Sequence, residues 1–313
     1  MNSARVLVVR EDSAAVAAAL RLEFPEVEFA AAPVAEELPD GTLEHDVLVS
    51  FQLPAAWVPR LPCLRWVHSP GAGVDRIVGA TGLPPGVRIT RTCADFGRQI
   101  GEFVLAALMD HATQAPRWRA AVAARRWDRD RRPLACGRRA LVVGLGDIGG
   151  AVAELLRAAG FEVHGVSRGG RAHAACARVT AMGGLDGELS EADYVVLALP
   201  LTPGTCGMFH AGRLSRLRPS AVLVNVARAE VVEEAALAAA LDSGALAAAY
   251  LDVLWREPPA AADPWWTRRN VTLTPHIAGV TETGALVTEF RENLRRYLRG
   301  EPLLNEVDRA LGY

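Results

Sequence analysis

The chain has 313 residues, half of them hydrophobic, and a formal net charge of -2. That length and apolar fraction suffice for two domains with large buried cores, and the near balance of charge gives no general attraction to nucleic acid or an anionic membrane. All 34 basic residues are arginine, so Walker-type phosphate loops, pyridoxal Schiff bases and lysine-dependent short-chain reductases, which need a lysine amine, are excluded.

In chain order, residues 6–9 read as a strand, 13–22 as a helix, and 46–50 and 64–68 as further strands, together a small α/β unit. Gly71-Ala72-Gly73 follows the last of these, where a loop would present free backbone amides as an anion nest. From about Gly101 a helical pattern runs through Trp118 and Trp127. The Arg-rich run 117–132 also carries Asp128 and Asp130 and is interleaved with Ala and Trp, which reads as a solvated face or subunit contact. Residues 140–143, 162–166, 194–198, 221–226, 248–253 and 271–275 read as six strands alternating with helices, the pattern of a doubly wound parallel sheet. Residues 282–298 are amphipathic, with Leu286, Phe290, Leu294 and Leu298 on one stripe, and are expected to return to the first domain. The expected division is 1–98 with 282–313 as substrate-binding domain and 99–281 as dinucleotide-binding domain. The five cysteines (Cys63, Cys93, Cys136, Cys176, Cys206) are scattered and form no CxxC pair, so neither a disulfide framework nor a metal site is indicated. Without a signal-peptide core or a membrane-length apolar stretch, the reducing cytoplasm is the expected location.

Gly144-Leu145-Gly146-Asp147-Ile148-Gly149 is a GxGxxG motif directly after an apolar strand and at the start of a helix. The first two glycines permit a tight turn and close approach of a pyrophosphate, the third lets helix pack on strand, and the helix N-terminus attracts phosphate. The next strand should end at the residue that reads the adenosine ribose. Ser167 and Arg168 stand there, with Arg171 nearby and no carboxylate. An acid would bind the 2′-hydroxyl and repel a 2′-phosphate, whereas hydroxyl and guanidinium donors suit that phosphate. NADP(H) is therefore favoured, with NAD(H) possible.

Three later segments are expected at the carboxyl ends of strands, where open α/β sheets place ligands. They are Val224-Asn225-Val226-Ala227-Arg228, then Leu251-Asp252-Val253 with Glu257-Pro258, then Thr274-Pro275-His276-Ile277-Ala278-Gly279. With the glycine loop, their order and spacing resemble the D-isomer-specific 2-hydroxyacid dehydrogenase family. Ser69-Pro70-Gly71-Ala72-Gly73-Val74-Asp75, Leu199-Pro200-Leu201-Thr202-Pro203 and the closing Gly312-Tyr313 are similar to family segments too.

The chemistry agrees with the resemblance, since reducing a 2-oxo acid needs a cation for the carboxylate, a proton donor for the carbonyl oxygen and a positioned hydride donor. Arg228 supplies the cation, His276 the proton, and Glu257 keeps the imidazole protonated. The resemblance further implies two Rossmann-like or flavodoxin-like domains with an interdomain active-site cleft, a homodimer, Asp252 near the nicotinamide amide, and cofactor contacts from Pro200, Thr205, Val226 and Gly279. It also implies that the Gly71, Ala72, Gly73 and Val74 loop completes the substrate carboxylate site. The other histidines (His45, His68, His111, His164, His173, His210) lack comparable partners, and His68, beside that loop, is the one rival to His276.

Departures from the family pattern narrow the substrate. Ala227 and Ala229 replace the usual glycines beside the arginine, and Gly101 stands where alanine is usual. Ser69 replaces an arginine of phosphoglycerate dehydrogenases, and Glu257 the glutamine of formate dehydrogenases. Ser167-Arg168 and the His68-Ser69-Pro70 loop are most similar to glyoxylate/hydroxypyruvate reductases. The expected activity is reduction of a small 2-oxo acid to the D-2-hydroxy acid. The alternatives are a cofactor-sensing binding protein of co-repressor type, which would bind cofactor without turnover, and a Rossmann methyltransferase, which would need none of the Arg, Glu and His set.

Overall fold

The computed structural model describes residues 4–34, 38, 41, 43–129 and 134–313. The chain divides into two compact units, Met1–Ala94 with Val280–Tyr313, and Asp95–Gly279. Unit 1 begins with β1 (Arg5–Val9), α1 (Ser13–Arg21), β2 (Glu28–Ala32), β3 (Val47–Ser50), β4 (Trp66–Ser69), α2 (Asp75–Val78) and β5 (Arg88–Arg91). Unit 2 contains α3 (Phe96–Ala112), α4 (Ala115–Ala123), β6 (Arg139–Val143), α5 (Asp147–Ala158), β7 (Glu162–Ser167), β8 (Arg178–Ala181), α6 (Leu185–Leu189), β9 (Tyr194–Leu197), α7 (Ala211–Leu214), β10 (Val222–Asn225), α8 (Glu234–Asp242), β11 (Ala248–Leu251) and β12 (Val271–Leu273). The chain then supplies α9 (Thr283–Leu298) to unit 1.

Both sheets are parallel throughout the described residues and doubly wound, as the alternating pattern predicts. Their orders are β2-β1-β3-β4-β5 and β12-β11-β10-β9-β6-β7-β8. Helices cover both faces of such a sheet, so its inner strands must be apolar on both sides. Val47 to Ser50, Tyr194 to Leu197 and Val222 to Asn225 are accordingly buried at every position. Among the described residues unit 2 has seven strands rather than the expected six, and β2 and β5 of unit 1 also escape the sequence pattern. β2, β5 and β8 are short edge strands. An edge strand has one neighbour and partial solvent exposure, so it needs no continuous fully buried run: β8 reads Arg-Val-Thr-Ala, with no position fully buried.

The single helix read from Gly101 through Trp127 is two helices. Gln114, in the left-handed region at φ 55°, with a proline at the start of α4, breaks it. Trp127 lies beyond α4 and is exposed. Of the Arg-rich run, Arg117 pairs with Asp128 at 2.9 Å and Arg119 with Asp110 at 3.0 Å, while 130–133 lie outside the described residues. The unusual Gly101 has a packing reason: a Cβ there would overlap Leu155 of α5, and one on Gly97 would sit 2.8 Å from the Ala151 methyl. The two helices thus meet along a small-residue face that sets α5, and the glycine loop before it, against the sheet.

α9 packs on the unit 1 sheet with Leu286, Phe290 and Leu294 fully buried. Phe290 stacks on Trp66 at 4.9 Å between ring centroids. Each such side chain contributes about 1.5–3 kcal/mol by leaving water. The Tyr297 hydroxyl donates to Asp46 at 2.8 Å.

Candidate active site

In unit 2 the chain order reverses between β6 and β9, so the loops after those strands diverge and leave a crevice at their carboxyl ends. The glycine loop follows β6. Gly144 has φ 100°, and a Cβ there would lie 2.5 Å from the Ala198 carbonyl oxygen. A Cβ on Gly149 would overlap the Gly144 carbonyl, so neither position admits a side chain. Nothing lies within 4 Å of the Cβ position of Gly146. The amides of Leu145 and Gly146 have no hydrogen-bond partner among the described residues. Asp147 and Ile148 open α5. An open cradle with free amides at a helix N-terminus fits a pyrophosphate.

β7 ends at Ser167, whose Oγ is buried without a partner, and the exposed Arg168 and Arg171 follow. An orphaned buried hydroxyl costs about 1–3 kcal/mol unless something completes it. With two guanidinium groups close by in sequence, this edge fits the phosphorylated ribose of a dinucleotide. Across the crevice, the loop after β9 is self-supported. Thr205 Oγ1 donates to the Pro200 carbonyl at 2.6 Å and accepts from the Thr202 amide at 2.8 Å.

Asp252, just past β11, is buried, and both its carboxylate oxygens are engaged by its own chain. Oδ1 accepts from Thr274 Oγ1 at 2.6 Å and from the Ile277 amide at 2.9 Å, and Oδ2 from the Ala278 amide at 3.0 Å. Its carbonyl accepts from the His276 amide at 2.9 Å. These four bonds hold the turn after β12 in a shape that puts His276 at φ 56°, a region costing about 1–2 kcal/mol for a residue with a Cβ. Asp252 therefore braces the histidine turn through both carboxylate oxygens.

His276 Nδ1–H donates to Glu257 Oε2 at 2.9 Å, the carboxylate being able only to accept. Glu257 Oε1 in turn accepts from the Leu254 amide at 2.9 Å, so the carboxylate is held at both ends. Nε2 of His276 is left without a protein partner among the described residues, and the side chain is 43% exposed against 27% for Glu257. A carboxylate behind the ring fixes the tautomer and leaves Nε2 to exchange a proton outward.

Arg228 follows β10 in extended conformation at φ -137° and is half-buried, with Nη1 donating to the Ala227 carbonyl at 2.9 Å. Its loop is clamped by Asn225, buried at the last position of β10. Asn225 Oδ1 accepts from the Ala227 amide at 3.0 Å, and Nδ2 donates to the Arg228 carbonyl at 3.0 Å. Ala227, Ala229 and Val226 are buried beside it, so the two alanines that replace glycines are packing residues here. Asn225 and Thr274 carry no role in the sequence reading, and the signal that could have found Asn225 is an amide closing an all-apolar strand. Gly279 is wedged against Ile100 and Phe96, whose side chains would stand 3.1 and 3.2 Å from a Cβ there.

In unit 1, the loop after β4 is shaped by Ser69. Its hydroxyl lies 3.0 and 2.9 Å from the carbonyls of Gly71 and Gly73 and accepts from the Gly71 amide at 3.3 Å. The amides of Ala72, Gly73 and Val74 have no partner among the described residues, as an anion nest requires. His68, the rival histidine, is wholly buried between Thr90 Oγ1 at 2.7 Å and Thr92 Oγ1 at 3.1 Å. Burial pushes its imidazole down to about 3, so it is a neutral core side chain. His164 is tied to Glu188 and Glu162 at 3.0 Å each. Among the described residues no three His, Cys, Asp or Glu side chains are grouped to hold a metal. No helix of the described residues is long and apolar enough to cross a membrane.

Residues 105–278 match the family described as D-isomer specific 2-hydroxyacid dehydrogenase, NAD binding domain. An uncharacterized protein of Streptomyces coelicolor is 41% identical over 256 residues, 81% of this chain and 89% of its own. Glyoxylate/hydroxypyruvate reductase A of Photorhabdus laumondii is 31% identical over 260 residues, 80% of this chain and 82% of its own. Among solved structures, a D-isomer specific 2-hydroxyacid dehydrogenase of Xanthobacter autotrophicus Py2, in complex with NADPH and MES, superposes with a TM-score of 0.90 at 35% identity, covering 100% of both chains. An NADPH-dependent glyoxylate/hydroxypyruvate reductase of Sinorhizobium meliloti, with NADP and sulfate bound, also gives 0.90, at 30% identity over 99% of this chain and 100% of that one. With the glycine loop at the sheet's switch point and an intact Arg, Glu and His set, the chain belongs to the D-isomer-specific 2-hydroxyacid dehydrogenase family.

Proposed function

We propose that the enzyme reduces a small 2-oxo acid of the glyoxylate or hydroxypyruvate kind to the D-2-hydroxy acid, with NADP(H) favoured over NAD(H). The observation that carries this is the His276–Glu257 pair at 2.9 Å, with the opposite ring nitrogen turned free. The NADPH bound in the Xanthobacter relative and the NADP in the Sinorhizobium one, together with the orphaned Ser167 hydroxyl before Arg168 and Arg171, support the cofactor preference.

When bound, the dihydronicotinamide supplies the hydride that reaches the carbonyl carbon of the acid. The chain's residues do the rest. Gly144, Gly146 and Gly149 with the α5 N-terminus take the pyrophosphate, and Ser167, Arg168 and Arg171 the ribose phosphate. Arg228 pairs its planar fork with the substrate carboxylate, and the free amides of Ala72, Gly73 and Val74 in unit 1 are likewise suited to a carboxylate. His276 Nε2–H gives its proton to the carbonyl oxygen as that oxygen gains charge, and Glu257 stabilises the imidazolium beforehand. In the reverse direction neutral Nε2 takes the hydroxyl proton. Asp252 and Asn225 touch no reacting atom in this scheme and serve as positioning residues. The enzyme works in the cytoplasm as a homodimer.

The test is a panel of 2-oxo acids assayed with NADPH and NADH by loss of reduced-cofactor absorbance. Turnover of glyoxylate or hydroxypyruvate, faster with NADPH, is expected. Tight cofactor binding without turnover of any acid would replace the enzyme with the sensor alternative.

A further inference from the structure

A cavity of about 230 Å³ lies at the opposite end of the unit 2 sheet, lined by His111, Ala112, Gln114, Arg138, Tyr194, Ser220 and Ala247. Arg138 precedes β6, Tyr194 opens β9, and Ser220 and Ala247 lie before β10 and β11. The cavity therefore sits at the amino ends of the same strands whose carboxyl ends form the crevice, roughly 15 Å away at ~3.3 Å per residue.

His111 Nδ1 is buried without a hydrogen-bond partner among the described residues, and the buried Tyr194 hydroxyl faces only the Arg138 guanidinium, so its own proton finds no acceptor there. Tyr194 is fully buried, with the His111 and Phe161 rings set edge-on to its own at 5.9 and 5.7 Å. Leaving such groups unmade costs free energy, so a cavity that offers them is built for something that completes them. Burial raises the Tyr194 hydroxyl and lowers His111, so the first stays an O–H donor and the second stays neutral.

The charge is as specific. Arg138 donates through Nε to the Leu134 carbonyl at 3.2 Å and forms no ion pair among the described residues. The nearby carboxylates are engaged elsewhere. Asp110 takes the Tyr250 hydroxyl at 2.8 Å and Arg119 at 3.0 Å, and Asp193 takes the Arg139 amide at 2.9 Å. One guanidinium with no ion pair among the described residues, the O–H donors of Tyr194 and Ser220, the Gln114 amide and a neutral imidazole, set among the methyls of Ala112 and Ala247 and the Tyr194 ring, match a single negative charge on an apolar body. A dianion would find one cation for two charges in a largely apolar wall.

We propose that this cavity is a second ligand site, separate from the catalytic crevice, that takes a small monocarboxylate with an apolar body. Benzoate, of a size the cavity admits, is the probe. It is titrated calorimetrically into the full-length protein and into Arg228→Ala, which lacks the carboxylate partner of the catalytic site. Equal benzoate affinity in both is expected, with binding at least about tenfold weaker in Arg138→Gln and severalfold weaker in Tyr194→Phe at unchanged melting temperature, and inorganic phosphate binding more weakly than benzoate. The site is overturned by the absence of binding, by loss of binding in Arg228→Ala, by unchanged affinity in both cavity variants, or by phosphate binding more tightly.

Discussion

His68 and His276 both belong to the carboxyl ends of parallel strands, one in each unit, and the two are opposites in every physical respect. His68 lies within β4, wholly buried, between two threonine hydroxyls, and burial holds it neutral by lowering it to about 3. His276 lies beyond β12, on a left-handed turn, 43% exposed, with a carboxylate behind one nitrogen and the other free. A strand position points a side chain into the packed layer of helices, whereas the turn past a strand delivers it to the open end of the sheet. The same residue type thus becomes packing in one place and, in the other, the proposed proton donor.

The largest effect expected is on that donor. His276→Gln keeps the ring-sized volume and the fold but has no transferable proton, and kcat should fall about 10²–10⁴-fold with cofactor affinity unchanged. An equal fall for His68→Asn would break the contrast. Next comes Asp252→Ala, which removes three hydrogen bonds from the turn that holds His276. A loss of about 2–4 kcal/mol in unfolding free energy is expected, with kcat falling more than KM rises, because the imidazole is misplaced rather than deleted. If kcat stays at wild type, the turn does not depend on Asp252.

Arg168→Ala should raise the KM for NADPH about tenfold and leave that for NADH nearly unchanged, as loss of one charge-assisted contact to a 2′-phosphate would. Equal effects on both cofactors would remove the arginine from that role. The smallest effect on turnover concerns His68. Its folded value near 3 lies below the ordinary 6.5, so below pH 6.5 the unfolded chain binds a proton that the folded chain does not. Stability must then fall on acidification from 6.5 toward 3, by up to about 1.4 kcal/mol per pH unit. His68→Asn should flatten that part of the slope in urea titrations from neutral to mildly acid pH, while leaving kcat near wild type. A slope identical to wild type would mean that other groups carry it.

The amino-acid sequence alone determined the two doubly wound sheets and the glycine loop, because inner parallel strands are continuous apolar runs and glycine spacing is a local requirement of backbone shape, and it offers Arg228, Glu257 and His276 as a candidate set. Edge strands β2, β5 and β8 were not legible, since a strand with one neighbour needs no such run. Nor was the engagement of Asp252 with Thr274, Ile277 and Ala278, or of Asn225 with Ala227 and Arg228. A hydrogen-bond partner is chosen by where two chain segments meet, not by the residue type at either end. Only tertiary structure separated His68 from His276, because burial and the presence of a facing carboxylate are properties of the packed molecule.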